Sequence, residues 1–75
     1  MSGVRKHSIT IRGHRTSYSL EQPFADELAA IAESRGLSLA ALIAEIDAAR
    51  PRAANLSSAI RVYVLDWLKN NRAFV

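Results

Sequence analysis

The sequence has no cysteine, only three glycines and two prolines, and one tryptophan among its 75 residues. Without cysteine there is no disulfide framework, and no Cys/His cluster offers a structural zinc. No run approaches the roughly 20 apolar residues of a membrane-spanning helix, so no membrane partner is expected. The start, MSGVRKHS, is positive but lacks an apolar stretch behind it, and it reads as no secretory signal. The absence of cysteine fits a reducing compartment, and the chain reads as a cytoplasmic protein. Catalytic machinery is missing too. No serine has a placed histidine and carboxylate partner, and no glycine-rich phosphate loop appears, so the expectation is a non-enzyme without a cofactor. The histidines His7 and His14, one on a strand and one in a turn, give no metal-ligand pattern, and no metal is expected.

What is present points to assembly. A chain this short has room for one domain, residues 1–75, and buries too little surface for comfortable stability alone. With disulfides and metals excluded, oligomerisation is the remaining remedy. At 49% hydrophobic residues, the composition holds more apolar surface than one short chain readily hides.

Charge is unevenly placed. Residues 1–20 carry Arg5, Lys6, Arg12 and Arg15 and no acid. Residues 21–47 hold six acids against Arg35, and residues 48–75 hold five bases against Asp66. An acid-free basic segment is the electrostatic footprint that meets phosphate.

Residues 6–12 alternate, with His7, Ile9 and Ile11 on one side and Ser8, Thr10 and Arg12 on the other, which predicts a strand. Residues 15–20 alternate again: Thr16, Tyr18 and Leu20 share one face, and Arg15, Ser17 and Ser19 the other. Gly13-His14 between them predicts a two-residue hairpin loop with glycine supplying the positive φ of a type II′ turn. A first helix is expected at about 22–35. Pro23 lies near its start, Asp26 and Glu27 near the positive end of its dipole, and Phe24, Leu28 and Ile31 form its apolar stripe. Gly36 ends it as a left-handed cap. Ser38 caps a second helix at about 38–49, with Leu39, Leu42, Ile43 and Ile46 as its stripe and Pro51 beyond its end. Asn55 or Ser57 caps a third helix at about 56–70. Its face of Ile60, Val64, Trp67 and Leu68 is joined by Val62, Tyr63 and Leu65, so the helix is apolar on several sides and predicts contact with a second copy.

The order strand, helix, glycine turn, serine-capped helix resembles the ribbon-helix-helix DNA-binding proteins. The resemblance centres on residues 15–49, from R-T-S-Y-S-L through the turn A-E-S-R-G-L-S to L-A-A-L-I-A-E-I. The whole chain, with its upstream strand and third helix, looks like small single-domain bacterial members of that group. The resemblance implies an α+β, mostly helical fold in an intertwined homodimer whose strands pair into a two-stranded ribbon. That family reads DNA with the ribbon in the major groove. Carried over by position, the base-contacting residues are Arg15, Ser17 and Ser19. Phosphate contacts fall to the N-terminus of the second helix, here Leu37, Ser38 and Leu39. Arg5, Lys6 and Arg12 are assigned to phosphate from the basic N-terminal charge. The dimer core is expected from Tyr18, Leu20, Leu28, Ile31, Leu42, Ile43, Ile46 and Trp67.

The upstream strand sets a geometric limit. Four strands side by side in a dimer span about 14–15 Å at ~4.8 Å spacing, against a major groove about 12 Å wide. Either residues 6–12 bend away or the groove mode is altered. The reading is therefore a homodimeric DNA-binding protein, in the manner of a transcriptional regulator. The alternatives are a protein-interaction module, antitoxin- or adaptor-like, using the third helix and the terminal Ala73-Phe74-Val75, or an RNA binder.

Overall fold

A computed structural model describes residues 3–71. Two strands, β1 (Val4–Ile11) and β2 (His14–Glu21), are followed by three helices, α1 (Gln22–Arg35), α2 (Leu39–Ala49) and α3 (Leu56–Asn71). This is the expected α+β order of a hairpin and three helices. The terminal Ala73-Phe74-Val75, singled out as partner surface, lies outside the described residues.

β1 and β2 pair antiparallel with Ile11 opposite His14, Thr10 opposite Arg15, Ser8 opposite Ser17 and Lys6 opposite Ser19. The loop is Arg12-Gly13, one residue earlier than the sequence suggested, and φ is positive at both positions, 51° at Arg12 and 80° at Gly13. Two positive φ values make this a type I′ turn, whose twist matches the flanking strands. The expected type II′ turn at Gly13-His14 is thus corrected. A Gly13-His14 loop would have set Arg12 directly opposite Arg15, and like charges across a strand pair are destabilising. The observed register places neutral Thr10 there instead and moves Arg12 into the turn, where a left-handed conformation costs a non-glycine residue roughly 1–2 kcal/mol.

The strand faces divide as the alternation predicts. Ile11, Tyr18 and Leu20 are buried, with Ile9 packed beside them. The His7 ring stacks on Tyr18 at 5.0 Å between centroids. Its Nε2 is buried without a hydrogen-bond partner.

α1 starts at Gln22 with proline in its first turn, and Glu21 is the N-cap without a side-chain bond. Asp26 and Glu27 fall beyond that first turn, which contains no acid, so the dipole role expected of them is not met. Asp26 instead accepts from the Gln22 amide at 2.7 Å. Gly36, at φ 70°, ends the helix in the left-handed region. The Leu37 amide donates back to the Ala32 carbonyl at 2.9 Å, the bond that closes a Schellman turn. Ser38 then caps α2 by accepting from the Ala41 amide at 3.0 Å. Asn55 caps α3, its side-chain oxygen accepting from the Ser58 amide at 2.8 Å. Ser57 is left free for a different task.

α2 lies against β1, while α1 and α3 lie against β2 and the three helices pack on one another. Leu20, Leu28, Ile31, Leu42, Ile43, Ile60 and Val64 are almost completely excluded from solvent. At about 1.5–3 kcal/mol for each fully buried aliphatic side chain, this cluster is the main stabilising mass of the chain. The buried stripe of α3 is Leu56, Ile60 and Val64. Trp67 only flanks the core, and Leu68 is exposed, so the expected face of α3 is shifted toward its N-terminal half. Val62 and Leu65 remain 57% and 53% exposed. No helix among the described residues is long and apolar enough to cross a membrane.

Candidate nucleic-acid interface

The hairpin has one face on the helices and one in solvent. On the solvent face the cross-strand pairs are Lys6 with Ser19, Ser8 with Ser17, and Thr10 with Arg15. Lys6, Ser8, Thr10, Arg15 and Ser17 are exposed and Ser19 is half-buried. This face is two strands wide and presents hydroxyls, an ammonium and a guanidinium with no acid among these six residues. A two-stranded ribbon of this width fits a major groove. Short hydroxyls donate to or accept from several base edges, and arginine forks onto guanine.

The two ends of β2 are held differently. The Ser19 amide donates to the Ser57 hydroxyl at 2.8 Å, and the Ser19 carbonyl accepts from Arg61 at 3.2 Å. Both backbone groups of Ser19 therefore point away from β1. In an antiparallel pair this orientation recurs at every second residue, so Ser17 and Arg15 turn theirs toward the same edge. Arg61 also donates to the Glu21 carboxylate at 3.0 Å and lies over the Phe24 ring, 5.9 Å from its centroid. Ser57 and Arg61, one turn apart on α3, thus close the edge of β2 at its helix end. The Glu21 carboxyl is held below its ordinary value, first by a backbone hydrogen bond at Glu21 and then by the Arg61 side chain. Alternation in the sequence found the polar face, but nothing local in it identifies Ser57 and Arg61, which lie about 40 residues further along the chain and meet β2 only through tertiary packing.

At the hairpin tip the edge is open. A cleft of about 280 Å³ lies between the tip and the C-terminal end of α2, bordered by Arg12, His14, Arg15, Thr16, Asp47 and Arg50. Arg12 reaches the Ala44 carbonyl at 3.4 Å. Arg50 donates to Asp47 at 2.7 Å.

The residues assigned to phosphate do not form one patch. Lys6 stands on the polar face, but Arg5 is paired with Leu20 and so belongs to the opposite, helix-facing side, where it is exposed at the start of β1. Arg12 is in the turn. Leu37, Ser38 and Leu39 lie at the start of α2, whereas Arg12 touches Ala44, about 9 Å further along that helix at ~1.5 Å per residue. Ser38 already serves the Ala41 amide, which leaves the Leu39 and Ala40 amides outside the helix's own ladder. Of the residues expected in a dimer core, Tyr18, Leu20, Leu28, Ile31, Leu42, Ile43 and Ile46 are buried within the single chain. Trp67 sits at its margin, stacked with Tyr63 at 6.4 Å. A second polar cluster ties the helices together: Arg35 of α1 donates to Glu45 of α2 and to the Tyr63 hydroxyl of α3. Its Arg35 side chain holds the Glu45 carboxyl below the usual value. Among the described residues no three His, Asp or Glu side chains gather as a metal site would require.

No curated protein and no solved structure matches the chain. The ribbon-helix-helix domain family matches residues 4–68, from the first residue of β1 to near the end of α3. A match over nearly the whole described chain, on a hairpin followed by glycine-linked and serine-capped helices, makes this protein a member of the ribbon-helix-helix domain family, whose fold is that of DNA-binding transcription regulators.

Proposed function

We propose that the protein is a transcriptional regulator that binds duplex DNA by laying the polar face of its hairpin in the major groove. The observation that carries this reading is the face itself: Lys6, Ser8, Thr10, Arg15 and Ser17 stand exposed, with half-buried Ser19 beside them, on a two-stranded ribbon made within one chain. Arg15, Ser17 and Ser19 read base edges. Lys6 meets phosphate at the strand end, and Arg12 does so at the tip. The Leu37–Leu39 turn and Arg5 lie apart from this face and contribute only where the duplex bends toward them. Nuclear magnetic resonance (NMR) titration with a short duplex tests the surface. Amide shifts are expected along residues 6–19 on the polar face; shifts confined to α3 would refute it.

Ribbon-helix-helix proteins typically bind DNA as dimers, and we place the second copy of this chain on the outer face of α3. Val62 and Leu65 stand more than half exposed there. A groove of about 400 Å³ between the end of α2 and α3 continues the apolar surface through Ile46, Ala59 and Tyr63. Two copies meeting through α3 leave each hairpin two strands wide. Pairing through β2 would make a sheet of four strands, wider than the groove by the spacing given above, and would require Ser19 to release Ser57 and Arg61. Sedimentation of Leu65→Glu against the parent checks this: a dimer that becomes a folded monomer supports the α3 contact, and an unchanged dimer moves it elsewhere. The same apolar face supports a second reading, a module that holds another protein. A stoichiometric co-purifying protein, with no duplex affinity, favours it.

A further inference from the structure

We propose that the cleft at the hairpin tip is a phosphate seat, which grips one phosphodiester of the DNA backbone beside the stretch lying along the polar face. This rests on the DNA reading above and adds to it a site built from two distant parts of the chain. Arg12, His14 and Arg15 come from the hairpin, and Asp47 and Arg50 come from the end of α2.

Three observations lead to it. Arg12 holds a left-handed φ of 51° at a turn position where asparagine before glycine is the favoured choice. The turn does not need an arginine. A non-glycine residue held in a sparsely populated conformation points to a use for its side chain, and here the side chain borders the cleft. Second, Arg12, Arg15 and Arg50 line one opening against a single carboxylate residue, Asp47. Asp47 pairs with Arg50 through Nε at 2.7 Å, and Arg50 also donates to the Ala54 carbonyl, so that guanidinium is fixed in place at the rim. Third, the cleft adjoins the end of the polar face: Arg15 borders it, and Ser17 and Ser19 follow on that face of the same strand. A duplex lying along that face brings its backbone past the tip, and forked guanidinium donors match phosphate oxygens. Asp47 moderates the seat: its charge opposes the phosphate and engages Arg50.

The test uses two variants of opposite sign. Arg12→Asn keeps the turn in its preferred sequence and removes a cation. Asp47→Asn keeps an acceptor for Arg50 and removes the opposing charge. Duplex binding is measured at several salt concentrations, with melting curves as a check on folding. Arg12→Asn is expected to flatten the log–log salt slope by about 0.9 and to weaken binding about fivefold near physiological salt, alike on a selected and a scrambled sequence. Asp47→Asn is expected to tighten both, a gain that damage to the fold does not mimic. Parental binding by both variants, alongside a loss for Arg15→Ala, overturns the cleft and leaves the hairpin reading intact. If the parent binds no duplex, the DNA reading fails and inorganic phosphate decides the seat. Amide shifts concentrated at Arg12–Thr16 and Asp47–Arg50 uphold it; shifts elsewhere or none overturn it.

Discussion

The two ends of β2 are built from the same alternating pattern and do opposite things. At the helix end Leu20 is fully buried, and Ser19 is bonded through both backbone groups to α3. At the hairpin end Arg15 is exposed and its edge opens on a cationic cleft. One end is held by the core and the other is presented to solvent. The contrast shows how one strand of eight residues, His14–Glu21, is divided between an anchored end and an exposed one.

That division predicts separable effects. The largest is expected at the anchored end. Leu20→Ala should cost about 2–5 kcal/mol of stability, read from urea unfolding; a loss well under 1 kcal/mol would mean that the strand is not anchored there. Next, Arg15→Ala should leave the melting temperature nearly unchanged while costing about 1–3 kcal/mol of binding to a preferred site. Ser57→Ala removes the acceptor for the Ser19 amide and should cost about 0.5–1.5 kcal/mol of stability, without changing the salt slope of DNA binding. A changed slope would show that the helix end of β2 also meets phosphate.

A smaller effect follows from His7, whose Nε2 is buried without a partner. His7→Phe keeps a ring against Tyr18 and removes the unsatisfied nitrogen, so it is expected to be neutral or stabilising by about 1 kcal/mol. A clear loss of stability would show that this nitrogen is satisfied in the assembled protein.

The smallest effect is that of acid. Glu21 and Glu45 are both held below the ordinary carboxylate value, Glu21 by its backbone bond and Arg61, and Glu45 by Arg35. A lowered folded-state value contributes stability that is present above the ordinary value and lost as pH falls through the folded one. Both carboxylates are solvated, so the melting temperature is expected to fall only modestly below about pH 4.5. Replacing both with glutamine should flatten that decline.

Much of this architecture is legible in the sequence because it is local. Alternation in residues 6–11 and 15–20 fixes which side chains face the helices. Gly36 and Ser38 mark their turn by backbone and capping chemistry alone. The position of the hairpin loop is not legible in the same way. Gly13 admits either loop without exchanging the strand faces, and the choice depends on which residue lies opposite Arg15. The closure of β2 by Ser57 and Arg61 is hidden for another reason. Ser57 reads as a candidate helix cap and Arg61 as one more base of the C-terminal third, and only the packing of α3 on β2 gives them their partners. The cleft is hidden likewise, since Asp47 and Arg50 end an unremarkable helix until the hairpin tip is set against them.

The central claim, that the polar face of the hairpin is the DNA surface, is tested most directly by Arg15→Ala beside the double variant Arg5→Ala/Lys6→Ala. Binding of each to a selected site and to a scrambled duplex is followed across salt concentration. The account predicts that Arg15→Ala lowers affinity for the selected site and erodes its preference over the scrambled one. It predicts that the double variant weakens both alike, with a flatter salt slope of about one phosphate contact, Lys6 being on the face and Arg5 behind it. Equal loss on both sequences for Arg15→Ala would reduce it to an electrostatic anchor. Unchanged binding in both variants would contradict the account and move the interface away from the hairpin.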